Sequence, residues 1–222
     1  MRVVLFGSFY RGLFVLTELL NGFFKNEIEV VGVVTDDPRS PFVSSGKRVW
    51  RYGYTPEEAN LVRELAEEHF IPVYDGRVKD PIFYQLFENN WRPQLCIMAT
   101  FGQLIDRRIF DFPDLGFFNL HPSDLAEWPS RYAGPDPFSE MIKDGQRYCV
   151  LTAHQINEGF DTGPRIFTSE TIAIPNGACV KDMHKISAAY AALLARRIVG
   201  EKLHLLETGA CSSPPCKLGR DR

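Results

Sequence analysis

The chain has 222 residues, of which 45% are hydrophobic and 24% are charged, and its formal net charge is −3. This length and composition are typical of a globular domain with a sizeable core, and they exclude disordered and fibrous architectures. The negative balance offers no extended basic surface, so we expect no nucleic acid partner. The apolar runs are far shorter than the roughly 18 residues of a membrane span, and Met1 leads directly into a strand pattern, so we expect a soluble, cytoplasmic protein with no membrane partner.

The first half of the chain alternates short apolar runs with amphipathic stretches. Arg2–Phe6 is an apolar run closed by Gly7, and the stretch after it places leucines on one helical stripe. A second strand is predicted over Glu29–Thr35, and Thr55 begins a helix as a capping hydroxyl before a first-turn proline. Further strands are predicted at 72–74, 94–99 and 116–121, with a helix around 82–87. This alternation predicts an α/β fold with a Rossmann-like, doubly wound and mostly parallel sheet.

The second half of the chain is less regular. We expect a helix over 136–143, strands over 148–156 and 165–174 joined by a turn at 157–164, and a final helix over 181–199. The segment 36–54 is a long loop of a length that is often functional. We predict one domain over 1–207 and a disordered tail over 208–222. The five cysteines, an odd number at irregular spacing, favour a reducing compartment, and Cys211 and Cys216 lie in the tail.

Two local motifs suggest activities that their context does not support. The first turn, Gly7-Ser-Phe-Tyr-Arg-Gly12, stands where phosphate loops occur but matches neither nucleotide fingerprint. It is either a plain turn or a place where helix-terminal amides and Arg11 hold an anionic group of a substrate. Asp161-Thr-Gly163 resembles half of an aspartic protease site, but that chemistry needs a second facing carboxylate in an all-β protein. The histidines and cysteines show no metal-ligand spacing, so we expect no metal.

A polar pair ends the fifth predicted strand. Asn119 and His121 are two residues apart, so both side chains point to the same side at the carboxyl edge of the sheet. An amide donor and an imidazole suit the stabilisation of an oxyanion and the movement of a proton in acyl transfer. Asp161 lies forty residues later, after a loop stiffened by four prolines, and its carboxylate could orient the imidazole. Taken singly, the same residues could be a capped turn, a structural histidine and a turn-forming aspartate.

As a set, three motifs resemble the folate-dependent formyltransferases, a family that includes enzymes for glycinamide ribonucleotide, methionyl-tRNA and nucleotide-linked amino sugars. The motifs are Phe101-Gly-Gln-Leu-Ile105, Asn119-Leu-His-Pro-Ser123 followed by Gly134-Pro135, and Glu158-Gly-Phe-Asp-Thr-Gly-Pro164. The resemblance covers roughly residues 1–200, and the stretch Val30–Arg48 looks more like the methionyl-tRNA and sugar branches. The chain departs from the family at Ser123-Asp-Leu-Ala126, where Ser-Leu-Leu-Pro is usual, and at an inserted-looking segment, Glu127–Tyr132.

The resemblance implies a reaction and a set of site residues. By the resemblance, the catalytic residues would be Asn119, His121 and Asp161. The formyl donor would be 10-formyltetrahydrofolate, without a metal, and it would contact Phe101, Gly102, Gln103, Leu104, Ile105, Glu158 and Phe160. A small-molecule amine would be the acceptor, and it would contact Ser8, Arg11, Ser123, Gly134 and Pro135. Asn119 and protonated His121 would stabilise the developing oxyanion while Asp161 orients His121.

Alternatives remain open for the identity of the acceptor and for the class of protein. Methionyl-tRNA formyltransferases carry a further domain, whereas only about twenty residues follow the predicted final helix here, so a tRNA acceptor is disfavoured. A basic group could meet the phosphates of a nucleotide-linked amino sugar or could simply be solvated: Arg11, Lys47, Arg48 and Arg51. We favour such a sugar over a glycinamide ribonucleotide or amino-acid acceptor. A hydrolase that releases formate and a non-enzymatic α/β ligand-binding module are the rival classes, and the oligomeric state, including a homodimer, is left open.

Overall fold

The computed structural model describes residues 1–43, 49–126 and 128–209. Over these residues the strands are β1 (Arg2–Gly7), β2 (Glu29–Val34), β3 (Val73–Tyr74), β4 (Leu95–Ala99), β5 (Phe117–Ser123), β6 (Tyr148–Gln155), β7 (Arg165–Thr168) and β8 (Ile172–Ala173). The helices are α1 (Phe9–Asn21), α2 (Pro56–Glu68), α3 (Pro81–Gln85), α4 (Arg107–Phe110), α5 (Pro137–Lys143), α6 (Val180–Ile186) and α7 (Ala188–Thr208). A 3-10 turn at Val49–Arg51 and a π-helical turn at Leu86–Trp91 are also present.

The strands form a mostly parallel sheet in the order β3-β2-β1-β4-β5-β6-β7, with β8 paired to β6. The strands β1 to β5 are mutually parallel, whereas β6 runs antiparallel to β5, and β7 and β8 run antiparallel to β6. The predicted Rossmann-like α/β fold is therefore confirmed. The strand order reverses between β1 and β4, which creates the crevice at which ligands of such sheets bind.

The central strands are buried on both faces, which explains their continuous apolar sequences. On one face Val3 and Leu5 of β1 belong to a core cluster that includes residues of α1 and α7. On the other face Val4 and Phe6 pack in a cluster with Phe83 from α3. Full burial of an aliphatic or aromatic side chain contributes about 1.5–3 kcal/mol, so these two layers fix the sheet on which the site is built.

Two predicted boundaries in the second half were wrong. The strand predicted over 165–174 is two short strands, because β7 pairs with the carboxyl end of β6 and β8 with its beginning. The predicted final helix is also two helices, since α6 ends before Ser187 and α7 continues to Thr208, where Gly209 ends it with a left-handed φ of 64°. Residues 210–222, with Cys211 and Cys216, lie outside the described residues.

Local signals fix the start of α2. The Thr55 hydroxyl accepts a hydrogen bond from the Glu58 amide at 3.2 Å, and the Glu58 carboxylate accepts one from the Thr55 amide at 3.0 Å. This capping box is the arrangement that the threonine and the following proline favour.

Among the helices that the structure describes, none is long and apolar enough to cross a membrane.

Candidate active site

A cleft of about 600 Å³ opens at the carboxyl edge of the sheet, beside β1 and β4, the pair at which the strand order reverses. The ends of β4, β5 and β6 and the loops after them line it. This volume lies within the range of small-molecule sites, about 300–1,000 Å³. The location follows from the topology, because parallel strands end at one edge and their connections separate at the switch point.

Asn119 and His121 lie on β5 and line this cleft. Their two-residue spacing places both side chains on one face of the strand. On one side Asn119 pairs in register with Met98 of β4, and on the other it pairs with His154 of β6. Because β5 has a hydrogen-bonded strand on each side, the positions of both side chains are fixed by the sheet.

Asp161 reaches these two side chains from the turn between β6 and β7. Its backbone is left-handed, with φ of 49°, a conformation that aspartate tolerates better than most residues. The turn also passes close to β6, since a Cβ on Gly163 would lie 1.8 Å from the carbonyl oxygen of Gln155. A glycine at that position therefore lets the turn fold back, and this brings the Asp161 carboxylate to β5.

The Asp161 carboxylate is the centre of the polar network. Its Oδ1 accepts a hydrogen bond from Asn119 Nδ2 at 3.0 Å, and its Oδ2 accepts one from the Gly134 amide at 3.0 Å. Oδ2 also lies 3.1 Å from His121 Nε2. The structure thus brings together the three residues to which the resemblance gives catalytic roles, and it adds a backbone amide from the proline-rich loop.

These contacts determine the pKa of Asp161. Burial disfavours the charged form and would by itself raise the pKa of this carboxyl group. Hydrogen bonding to His121 and His154, the positive charge of His121 and the Gly134 amide outweigh burial and hold the pKa well below its ordinary value. The group is therefore an ionised carboxylate at neutral pH, which only accepts hydrogen bonds.

The two ring nitrogens of His121 have different surroundings. Nε2 lies 3.1 Å from the carbonyl oxygen of Gly134 and 3.1 Å from Asp161 Oδ2, and since both atoms are acceptors, Nε2 carries a proton. Nδ1 is buried and has no hydrogen-bond partner among the residues that the structure describes. The imidazole is thus oriented through Nε2.

His154 is a site residue that the sequence reasoning missed. It lies on β6, is 2% exposed, and its Nε2 is 3.3 Å from Asn119 Nδ2 and 3.5 Å from Asp161 Oδ1. Asn119 Nδ2 therefore contacts two residues of the network, Asp161 and His154. The signal for His154 was a histidine near the end of a buried strand, but only the pairing of β6 with β5 places it opposite Asn119.

The residues that the resemblance assigns to the donor fall into three groups. Leu104 and Phe160 line the cleft with exposed side chains. Ile105 also lines the cleft, and its side chain is partly buried. Phe101 and Gln103 are buried, and Gln103 holds the segment 76–78 in place: its Oε1 accepts from the Val78 amide and its Nε2 donates to the Gly76 carbonyl oxygen, both at 3.0 Å. Gly102 also lines the cleft, and a Cβ there would lie 2.5 Å from a carboxylate oxygen of Asp36.

Three expected site residues do not line the cleft. The Glu158 carboxylate points to solvent and lies 3.5 Å from Arg107 Nη1. Ser8 is buried, where its hydroxyl lies 3.2 Å from the Thr35 hydroxyl and accepts a hydrogen bond from the Asp36 amide. Ser123 is also buried, and its hydroxyl donates to the His121 carbonyl oxygen at 3.3 Å. Their hydrogen-bonding groups serve the fold beside the site.

The other side of the cleft contains Arg11, Gly134 and Pro135. Arg11 is buried, donates from Nη1 to the Leu120 carbonyl oxygen at 3.1 Å, and places its guanidinium 5.5 Å from the centre of the Phe138 ring. Arg51 lies outside the cleft lining, 3.6 Å from the carboxylate of Asp136. Lys47 and Arg48 lie outside the described residues. Within the described ranges no cluster of histidine, cysteine and carboxylate side chains could hold a metal ion.

Fold and site together define an α/β protein with an amide, an imidazole and a carboxylate joined at the carboxyl edge of its sheet. Comparison with known families gives this class a name. Residues 64–198 match the sequence model of the family described as "Formyl transferase". The chain therefore belongs to the formyl transferase family, and the resemblance to the folate-dependent formyltransferases is confirmed.

Among curated proteins, the methionyl-tRNA formyltransferase of Syntrophomonas wolfei is 29% identical over 209 residues, which are 91% of this chain and 60% of that protein. The methionyl-tRNA formyltransferase of Syntrophus aciditrophicus is 35% identical over 111 residues, half of this chain and 34% of that protein. The chain thus spans at most about 60% of the length of these relatives.

Solved structures show the same fold at lower sequence identity. Phosphoribosylglycinamide formyltransferase from Bacillus halodurans superposes with a TM-score of 0.62 at 21% identity, covering 94% of this chain and 97% of the other. A formyltetrahydrofolate deformylase from Pseudomonas syringae gives 0.65 at 18% identity, covering 93% and 61%. An N-formyltransferase from Helicobacter canadensis, in complex with folinic acid and dTDP-3-aminofucose, gives 0.62 at 16% identity, covering 92% and 64%.

Proposed function

We propose that this protein transfers the formyl group of 10-formyltetrahydrofolate to the primary amine of a small molecule, and that this acceptor is an amino sugar linked to a nucleotide. The observation that carries the proposal is the Asp161 carboxylate, which joins Asn119 and His121 inside the cleft at 3.0 and 3.1 Å. Membership of the formyl transferase family supports the reaction class.

The network suits formyl transfer for electrostatic reasons. When an amine attacks the formyl carbon, a new C–N bond forms and negative charge develops on the formyl oxygen. Asn119 and protonated His121 are the groups that can stabilise this charge, while Asp161 keeps the imidazole oriented through Nε2. As the bond from the formyl carbon to the folate nitrogen breaks, the imidazolium of His121 can donate a proton to that nitrogen, and the neutral imidazole can then accept the proton that the amine loses.

The half of the cleft after β4 fits a folate donor. Leu104, Ile105, Ile156 and Phe160 give this half an apolar lining that could cover a flat heterocycle. The backbone at 76–78, which Gln103 holds in place, borders this half of the cleft. Arg77 and Lys79 also line the cleft and provide the charge that carboxylates of the donor would need.

The other half of the cleft supports a small polar acceptor. It contains the buried guanidinium of Arg11 and the carboxylate of Asp136, so a ligand there could find both a cation and an anion. A net charge of −3 gives little support to a tRNA acceptor, which would need several phosphates neutralised. The Helicobacter canadensis structure that shares this fold is a complex with folinic acid and dTDP-3-aminofucose, a nucleotide-linked amino sugar, which favours the sugar.

Methionyl-tRNA is the second candidate acceptor, because the curated relatives named above are methionyl-tRNA formyltransferases. The two candidates differ in what they require outside the cleft. A tRNA needs an extended basic surface, and its binding weakens steeply as salt rises, whereas a nucleotide-linked sugar needs only a few charge contacts. The salt dependence of the KM of the acceptor therefore discriminates between them.

The test is an acceptor screen with 10-formyltetrahydrofolate. Nucleotide-linked amino sugars, glycinamide ribonucleotide, charged initiator tRNA and a reaction without acceptor are compared, with tetrahydrofolate release and the mass of the product as readouts. We expect formylated product with an amino sugar and little donor loss without acceptor. Fastest formylation of the tRNA, or of glycinamide ribonucleotide with no sugar reacting, contradicts the proposed acceptor. Equal donor loss with and without acceptor identifies a hydrolase, an activity that the deformylase of the same fold makes relevant.

A further inference from the structure

Trp128 lies in the inserted-looking segment 127–132 and contacts both the turn that carries Asp161 and the ring of His154. Its indole Nε1 donates a hydrogen bond to the carbonyl oxygen of Gly163 at 2.8 Å. Its ring centre lies 4.9 Å from that of His154, with the two planes inclined by 42°. One side chain therefore connects the loop after β5, the strand β6 and the turn that carries Asp161.

Over the described residues, the end of the turn is tied to β6 by the Gln155 amide, which donates to the Pro164 carbonyl oxygen at 3.0 Å. Within the turn, the Gly159 amide and the Thr162 hydroxyl donate to the side-chain oxygen of Asn157 at 3.1 and 3.2 Å. These bonds shape the turn internally but do not attach it to the loop after β5. Phe160 and Glu158 are exposed, so they add little burial. In the part of the chain that the structure describes, the hydrogen bonds between the turn and that loop run from Trp128 Nε1 to Gly163 and from the Gly134 amide to the Asp161 carboxylate.

We propose that Trp128 is a positioning residue, which fastens the Asp161 turn and the His154 ring so that the carboxylate stays aligned with His121 and Asn119. The proposal rests on the proposed function for its kinetic consequence but not for its structural one. Asp161 is held in a left-handed conformation, and such strain persists only where surrounding contacts fix it. An indole bonded two residues further on is such a contact.

Alignment also bears on what reacts with the formyl donor. A turn that opens admits water to the buried side of His154 and Asp161 and moves the carboxylate away from Nε2 of His121. Both effects lower amine transfer, and entry of water favours loss of the formyl group to solvent. The ratio of transfer to hydrolysis is therefore a property that Trp128 should control and that a purely space-filling residue would not.

The experiment uses two variants and a matched control in the full chain. Trp128→Phe keeps a ring against His154 and loses only the hydrogen bond to Gly163, whereas Trp128→Ala loses both contacts. Trp91→Phe is the control, because Trp91 is a buried tryptophan of the hydrophobic core, next to Gly32. Hydrogen exchange by mass spectrometry over 157–164 is measured together with kcat, KM and the ratio of transfer to hydrolysis.

We expect exchange over 157–164 to accelerate about fivefold in Trp128→Phe, the effect of one neutral hydrogen bond, and more in Trp128→Ala. The kcat for transfer should fall by a similar factor with KM nearly unchanged, and hydrolysis should gain relative to transfer. Trp91→Phe should change none of these. Unchanged exchange over 157–164 in Trp128→Phe overturns the proposal, and so does faster exchange with an unchanged kcat and ratio. If the wild type transfers no formyl group, the proposed function fails, while the exchange data still decide whether Trp128 fastens the turn.

Discussion

Replacing Asp161 by asparagine removes the charge at the centre of the network and keeps its shape. The native carboxylate accepts from Asn119 Nδ2 and the Gly134 amide at 3.0 Å and lies 3.1 Å from the protonated Nε2 of His121. An asparagine offers one acceptor oxygen and one donor group in place of two acceptors. At least one native donor must therefore face another donor, and the remaining contacts lose their charge assistance.

The number of hydrogen bonds to the Asp161 carboxylate determines how far we expect kcat to fall. A hydrogen bond to a charged group contributes about 1.5–3 kcal/mol. Loss of two of them, from Asn119 and His121, amounts to about 3–6 kcal/mol, which corresponds to roughly 10² to 10⁴ in rate. We expect Asp161→Asn to lower kcat by this factor, measured as tetrahydrofolate release. KM should change by less than about threefold, because the carboxylate holds other protein groups.

The lowered pKa of Asp161 predicts a second effect, on the pH dependence of stability. The folded pKa is depressed below the unfolded value of about 4. The ionised group therefore contributes stability that is fully present above about pH 5 and is lost as the pH falls through 4 towards the folded pKa. Because Asp161→Asn lacks this group, its free energy of unfolding in urea should fall less steeply below pH 5 than that of the wild type.

Asp111→Asn is the matched control, since Asp111 is exposed and pairs with Arg107 at 2.8 Å within one helical turn. It should match the wild type in kcat. Turnover of a folded Asp161→Asn protein within fivefold of the wild type would refute the coupling of Asp161 to His121. If the wild type and Asp161→Asn lose the same free energy of unfolding as the pH falls, the assignment of a depressed pKa to Asp161 is refuted.

Three further substitutions separate the parts of the site. Asn119→Ala should lower kcat about 10² to 10³-fold with donor affinity unchanged in a binding titration, and a loss below fivefold removes Asn119 from the oxyanion role. Phe160→Ala should raise the KM of the donor about tenfold with little change in kcat, because it removes apolar contact area from the exposed rim of the cleft; an unchanged KM contradicts that placement. Glu158→Gln should leave kcat and KM within about twofold, since Glu158 lies 3.5 Å from Arg107 outside the cleft, and a large rise in donor KM would restore it to the site.

The sequence alone determined the class of fold and the face on which the site lies. The apolar runs at Arg2–Gly7 and Leu95–Ala99 are buried on both sides, so their pattern needs only local composition to be recognised. The two-residue spacing of Asn119 and His121 fixes a common side of β5, because side chains alternate along any strand. These features depend only on neighbouring residues in the chain, and they can therefore be predicted without the tertiary structure.

The tertiary structure decided which other residues meet that pair. The register of β6 against β5 puts His154 opposite Asn119, and no local pattern states the register of an antiparallel pair. Likewise Glu158 and Asp161 lie three residues apart in one turn, yet one faces solvent and the other the cleft, because the left-handed backbone at Asp161 and the close approach at Gly163 set the direction of the turn. Trp128 contacts the turn of Asp161 for the same reason: its loop returns to a turn that follows it by more than thirty residues, and only packing in three dimensions brings indole and carbonyl to 2.8 Å.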